Sequence, residues 1–236
     1  MKILITGGEG KLAKKIIQSN RSRNHDIVAP PKGEMNIKSM SDITFWVGAV
    51  KPDVIIHTAA LTRPMNIHDN NPLESLHTNI VGTSHVAATC IMMGIKLVYI
   101  STDFVYPGLT GDYKEEDPIL PINKYAWSKL GGECAVRMHD NHLILRVAMC
   151  SKPFPHKSAI ADSKKSLIYD DDVADIILML LDKKGTINIG GKSSSIYEFA
   201  KKDNPDVGKI YLEDISEIMP KDTSMNLDKM KRELNE

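Results

Sequence analysis

The chain lacks, first of all, an excess of charge of either sign: Lys and Arg number 30 and Asp and Glu 30 among 236 residues. A neutral balance gives no electrostatic grip on nucleic acid or on an anionic membrane surface, so neither is expected as a partner. Cysteine is also scarce. Cys90, Cys134 and Cys150 are odd in number, far apart and without a CxxC, which points away from a disulfide framework or a zinc site. Reduced thiols in a cytoplasmic protein are the expectation. No apolar run approaches the roughly 20 residues that span a bilayer. A strand pattern begins at the second residue, so no leader is expected. The length suits one sizeable core with a small accessory lobe.

The chain is organised around KILITGGEGKLA at 2–13. Ile3, Leu4, Ile5 and Thr6 suit a buried strand. Gly7, Gly8 and Gly10 follow, and then a helix with Leu12, Ala13, Ile16 and Ile17 on one side. Strand, glycines and helix in that order suit a pyrophosphate. Glycine turns the backbone sharply, and a helix N-terminus offers free N–H groups with a positive dipole.

Strand and helix patterns then alternate to about residue 190, which predicts a parallel sheet covered on both faces. DIVAP (26–30) reads as a second strand. The acid that commonly follows it to hold the adenosine ribose is missing, because Pro30, Pro31 and Lys32 stand there. Lys32 has two readings, a contact to the 2′-phosphate of NADP or a solvated loop lysine. PDVIIHTAA (52–60) is a buried strand ending in small residues, where ligands of open α/β sheets sit. The polar loop 61–72 carries Arg63, which can reach a substrate, and His68, for which a surface position is expected. A long helix over about 73–94 precedes KLVYIS, with Thr102 and Asp103 at that strand's end. A helix at about 123–138 contains YAWSK, and HLILRV (142–147) is a further strand. The segment 148–168 is irregular and basic, with Lys152, Lys157, Lys164 and Lys165. Three aspartates, 170–172, open the next helix; an N-cap and first-turn charges explain them better than a metal, and no metal is expected. TINIG (186–190) closes the series. Residues 1–147 and about 167–190 are therefore expected to form the dinucleotide-binding domain. Residues 148–166 and 191–236 would form a small lobe.

Tyr125 and Lys129 are four apart on a predicted helix and share a face. A free phenol titrates near 10 and is a poor catalyst at neutral pH; a neighbouring ammonium is expected to lower that value. Such a tyrosine can protonate a carbonyl oxygen while hydride reaches its carbon. Thr102, at a strand's carboxyl end, is placed to orient that oxygen.

TGGEGKLA, HTAA, ISTDFVY, PINKYAWSK and MPKDTSMNLDKMKREL together resemble the extended short-chain dehydrogenase/reductases, and among them the dTDP-4-dehydrorhamnose reductase group. The resemblance covers nearly the whole chain. It implies a Rossmann-type doubly wound sheet and reduction of a 4-keto-6-deoxy nucleotide sugar by NADPH or NADH; the Lys32 reading tips that choice slightly toward NADP. It implies Tyr125 as proton donor, Lys129 on the nicotinamide ribose and Thr102 at the substrate carbonyl. Gly7, Gly10, Lys11 and Leu12 would border the pyrophosphate. Ala59, Ala60 and Leu61 would line the adenosine and ribose path. Asp103, Arg63 and Lys152 are candidate substrate contacts, and the lysines between 152 and 165 have two readings, contacts to a diphosphate or a solvated basic loop. A homodimer through the two long helices is implied as well. Ala13 replaces the third glycine, which such turns tolerate. The stretch after residue 147, where the group builds its sugar-nucleotide pocket, is short. A nucleotide-sugar epimerase of the same fold and a non-catalytic dinucleotide-binding regulatory subunit are the alternatives. TDF at 102–104, in place of TDE, sets a dehydratase aside.

Overall fold

The computed structural model describes residues 1–235. Six parallel strands form the central sheet: β1 (Lys2–Thr6), β2 (Asp26–Val28), β3 (Val54–His57), β4 (Lys96–Thr102), β5 (His142–Val147) and β6 (Gly185–Ile189). Their spatial order is 6-5-4-3-1-2, so the chain reverses direction across the sheet between β1 and β3. Open α/β sheets bind ligands at the carboxyl edge of such a switch point. The parallel sheet predicted by the alternation is observed, in the Rossmann-type form that the resemblance implies.

The strands read as continuous apolar runs because both faces are covered. Their side chains alternate strictly. Ile3, Ile5, Val54, Ile56, Val98, Ile100, Leu143 and Leu145 point to one face. Leu4, Ile55, Leu97, Tyr99 and Ile144 point to the other. The first face is packed by α1 (Lys11–Gln18) and α5 (Asp170–Met179) through Leu12, Ile16, Val173 and Ile177. The second carries α2 (Met40–Val50), α3 (Thr83–Met93) and α4 (Lys124–Val136) through Ile43, Val47, Val86 and Val136. Asn123 caps α4 by accepting from the Ala126 N–H at 2.9 Å, which fixes where the helix carrying Tyr125 begins.

Three expectations are corrected in detail. The long helix is continuous from Pro72 to Met93, but Leu76–Gly82 widens to a π-helix, a form that tends to occur at functional sites. Tyr169, not an aspartate, holds the N-cap position of α5; Asp170, Asp171 and Asp172 all lie in its first turn, where Asp171 meets Lys15 of α1 at 2.7 Å. The last helix, α6 (Asp228–Leu234), does not join the lobe. Its Met230 and Leu234 enter the core of the sheet's first face, because that face would otherwise be open beside β6.

Beyond the sheet stand three two-stranded pairs: Met149–Cys150 with Ile168–Tyr169, Ser158–Ile160 with Gly208–Ile210, and Lys164–Lys165 with Ser194–Ser195. The segment at 220–225 closes onto the loop after β4. A Cβ on Gly108 would lie 2.2 Å from the Pro220 side chain, so that approach depends on glycine. Among the described residues no helix is long and apolar enough to cross a membrane, and no cluster of three potential metal ligands occurs.

Candidate active site

The glycine turn joins β1 to α1. Gly7 has φ +71°, a left-handed conformation that L side chains rarely adopt, and a Cβ there would meet the Ala59 backbone at 2.8 Å. The Gly10 N–H donates to the Gly7 carbonyl at 2.8 Å, and the helix ladder starts with Lys14 donating to Gly10 at 3.1 Å. The amides of Lys11 and Leu12 thus have no partner among the described residues, and the first turn of α1 carries no acid. That is an anion cradle, and it fits the pyrophosphate of a nicotinamide dinucleotide. Leu12 offers only its amide, because its side chain is buried in the core. Ala59, Ala60 and Leu61 continue the ledge at the end of β3. The Ala59 N–H donates to Thr6 Oγ1 at 3.2 Å, and Thr58 Oγ1 donates to the Thr6 carbonyl at 2.7 Å. Asn79, inside the π-helix, accepts from the Leu61 N–H at 2.7 Å and donates to the Leu61 carbonyl at 2.9 Å and to Ser128 Oγ at 2.8 Å. One amide side chain therefore locks this ledge to α4. Lys32 is exposed, and its backbone N–H donates to Glu9 Oε2 at 3.1 Å.

A crevice of about 490 Å³ opens at the same edge of the sheet. Arg63, Thr102, Asp103 and Tyr125 all line it, while Phe154, Ile160, Ile196 and Met219 of the lobe form an apolar far wall. The half-buried Tyr125 ring lies between His68, with ring centroids 5.1 Å apart, and the edge of Phe104 at 6.0 Å. Burial pushes the Tyr125 phenol up to about 12; the nearby Thr102 hydroxyl and the charge of Arg63 oppose the rise, and Asp103 adds to it. The expected downward shift from Lys129 is thus corrected. Lys129 is 3% exposed, its Nζ lies 4.2 Å from the Tyr99 ring centroid, and no described residue accepts a hydrogen bond from it. Burial lowers the Lys129 amine to about 7, with Glu133 opposing. An amine that half loses its proton near neutrality is a weak stabiliser of a phenolate.

Asp103 faces the crevice but is already engaged. Lys165 Nζ and Thr223 Oγ1 both donate to its Oδ2 at 2.5 Å, and its Oδ1 accepts from Thr102 Oγ1 at 3.2 Å. This carboxylate pins two segments of the lobe to the end of β4. Lys152 is corrected: it lies outside the crevice lining, exposed, with Nζ 5.1 Å from the Tyr169 ring. The lysine that does line the crevice is Lys165, the last of the basic run. His68 is corrected too. It is 1% exposed, and its Nδ1 meets Ser75 Oγ at 2.7 Å. The aromatic face of Tyr125 gives this ring an apolar cover that a loop sequence does not advertise.

Deeper in α4, Glu133 stands one turn beyond Lys129 and is wholly buried. Its carboxylate accepts from Arg146 Nε at 3.0 Å and Nη2 at 2.9 Å, and from Ser101 Oγ at 2.5 Å. Sequence reasoning missed it, although the Tyr125, Lys129, Glu133 spacing placed all three on one face. His57 was read only as part of a strand. Its Nδ1 meets Thr6 Oγ1 at 2.7 Å and its Nε2 meets Thr83 Oγ1 at 3.0 Å. Burial, then the charge of Lys129, lowers it to about 3. An NMR titration is expected to show the His57 ring neutral from pH 8 down to 5. The unfolded chain takes up that proton near pH 6.5. His57 therefore withdraws stability progressively as the pH falls from about 6.5 toward 3. A His57 protonation step above pH 5.5 would contradict the buried, doubly bonded ring.

A family model described as the RmlD substrate binding domain matches residues 1–152, well over half of the chain. The chain belongs to this family. Among solved structures, dTDP-4-dehydrorhamnose reductase from Bacillus anthracis, in complex with NADP, superposes with a TM-score of 0.89 at 27% identity, covering 98% of this chain and 92% of that one. Methionine adenosyltransferase 2 subunit beta of Pongo abelii is 32% identical over 176 residues, 72% of this chain and 52% of that protein. The dTDP-4-dehydrorhamnose reductase of Streptomyces griseus is 30% identical over 148 residues, 61% of this chain and 48% of that protein. The chain spans about half the length of these curated relatives. Family membership accounts for the glycine turn, the β4 end and α4, all of which fall within the matched residues.

Proposed function

We propose that this chain is an NAD(P)H-dependent reductase of a 4-keto-6-deoxy nucleotide sugar, working in the cytoplasm in deoxysugar and surface-glycan synthesis. The observation that carries the reading is Tyr125 beside Thr102 in a crevice that opens next to an anion-binding glycine turn. The names of the Bacillus and Streptomyces relatives support the substrate class. When bound, the nicotinamide supplies a hydride. Reduction starts from a protonated phenol, and a value near 12 keeps Tyr125 protonated at neutral pH. Tyr125 gives that proton to the carbonyl oxygen, with the Thr102 hydroxyl orienting the same oxygen. Lys129 holds the nicotinamide ribose from one turn below. Residues 1–147 and 167–190 hold NADP or NAD. The lobe from 148–166 and from the chain after 191, short of α6, encloses the sugar, and Arg63 reaches the diphosphate. Leu73, Ile91, Met92 and Trp127 are exposed on the long helix and α4, which suits a homodimer through those helices.

The relative named as a subunit of methionine adenosyltransferase 2 supports a second reading, a dinucleotide-binding regulatory subunit. Incubation with NADPH or NADH and a dTDP-4-keto-6-deoxy sugar separates the two. The expected result is stoichiometric oxidation of the nicotinamide. Isomerised sugar without net oxidation identifies an epimerase, and dinucleotide binding without either product identifies the regulatory subunit.

A further inference from the structure

We propose that Glu9 replaces the ribose-reading acid absent after β2 and makes this chain prefer NADH to NADPH. The proposal rests on the dinucleotide site described above and selects between its two cofactors. In sheets of this topology the adenosine ribose lies at the carboxyl end of the β2 strand, and an acid there accepts its 2′-hydroxyl. Here β2 runs into Ala29, Pro30, Pro31 and Lys32, with no carboxylate.

The tip of the glycine turn is docked flush onto that loop. The Gly8 N–H donates to the Pro30 carbonyl at 3.2 Å, and a Cβ on Gly8 would lie 2.2 Å from the Ala29 carbonyl oxygen. Only glycine allows an approach this close, and it brings the neighbouring side chain of Glu9 across to the end of β2. One carboxylate oxygen, Oε2, is anchored by the Lys32 N–H at 3.1 Å. The other, Oε1, accepts from no described residue, and the side chain is exposed. A carboxylate held by one oxygen with the second free is arranged to accept a ribose hydroxyl. The same charge repels a 2′-phosphate. The ammonium of Lys32 forms no ion pair with Glu9; it contributes a little to lowering the Glu74 carboxyl, which is lowered mainly by Lys38.

The test is binding, by fluorescence titration of NADH and of NADPH, with no substrate present. The unaltered protein is expected to bind NADH at least about 10-fold more tightly than NADPH, about the effect of one charge-assisted contact. Glu9→Gln is expected to bring the two affinities within about 3-fold of each other, and Glu9→Arg to invert the order. Lys32→Ala keeps the anchoring amide and should leave the ratio within about 2-fold of its starting value. Equal affinity for both dinucleotides in the unaltered protein overturns the proposal. So does a ratio that Glu9→Gln leaves unchanged or that only Lys32→Ala moves. If the unaltered protein binds neither dinucleotide, the reductase reading itself falls; if it binds NADPH as well as NADH, that reading stands and only the assignment of Glu9 is lost.

Discussion

Tyr125→Phe is expected to lower turnover by about 10³-fold or more while leaving dinucleotide affinity within about 2-fold, since a positioned proton donor contributes about 10²–10⁴. The ring stays between His68 and Phe104, so packing is preserved and only the hydroxyl is lost. The neighbouring carboxylate does not replace it. Asp103 already accepts from Lys165 and Thr223 through Oδ2. Single-turnover measurement of nicotinamide oxidation, beside equilibrium binding of the same nucleotide, separates chemistry from binding. Thr102→Val in parallel should cost less, because it removes an orienting contact and not the proton. A Tyr125→Phe protein that turns over at the original rate would place the proton donor elsewhere.

Arg146→Leu is expected to destabilise the fold by about 3–5 kcal/mol, the usual cost of stranding one partner of a buried ion pair. Arg146 is 1% exposed and Glu133 is fully buried, and the one cation that would remain near the carboxylate, Arg137, stands off at 3.8 Å with its side chain half exposed. The guanidinium also donates to the Tyr106 hydroxyl at 3.0 Å and to the Glu115 carbonyl at 3.1 Å, and both would lose a buried donor. For a chain of this size the loss corresponds to a drop of about 10 °C in melting temperature. Removing both charges, as Glu133→Leu with Arg146→Leu, should recover most of that loss, because a well-packed apolar pair often matches a buried salt bridge. Urea unfolding of the two single variants and the double variant gives the coupling directly. Additive losses would mean that the pair does not act as a unit.

The Glu133 pair also bears on the site. Glu133 sits one helical turn from Lys129 and is the one charge that holds up the proton affinity of that amine. The same network therefore fastens α4 to the sheet and conditions the lysine that the proposed reaction uses.

The parts legible in the sequence were those written within a short window. Ile3, Leu4 and Ile5 already alternate between the two faces of the sheet. Gly7 already marks a left-handed turn and Gly10 the start of the helix after it, and Tyr125 and Lys129 lie one helical turn apart. Each depends on neighbours no more than a few residues away, so backbone geometry alone determines it. The tertiary structure decided what depends on distant partners. Thr223 reaches Asp103 across 120 residues and Lys165 across 62. Glu9 meets the loop after β2 across 23. Burial, which no local window contains, reversed the expected direction for Tyr125, moved His68 from the surface to the interior and exchanged Lys152 for Lys165 at the crevice. Spacing along the chain sets which side chains share a face, but the desolvation and charge around them are set only when remote segments pack together.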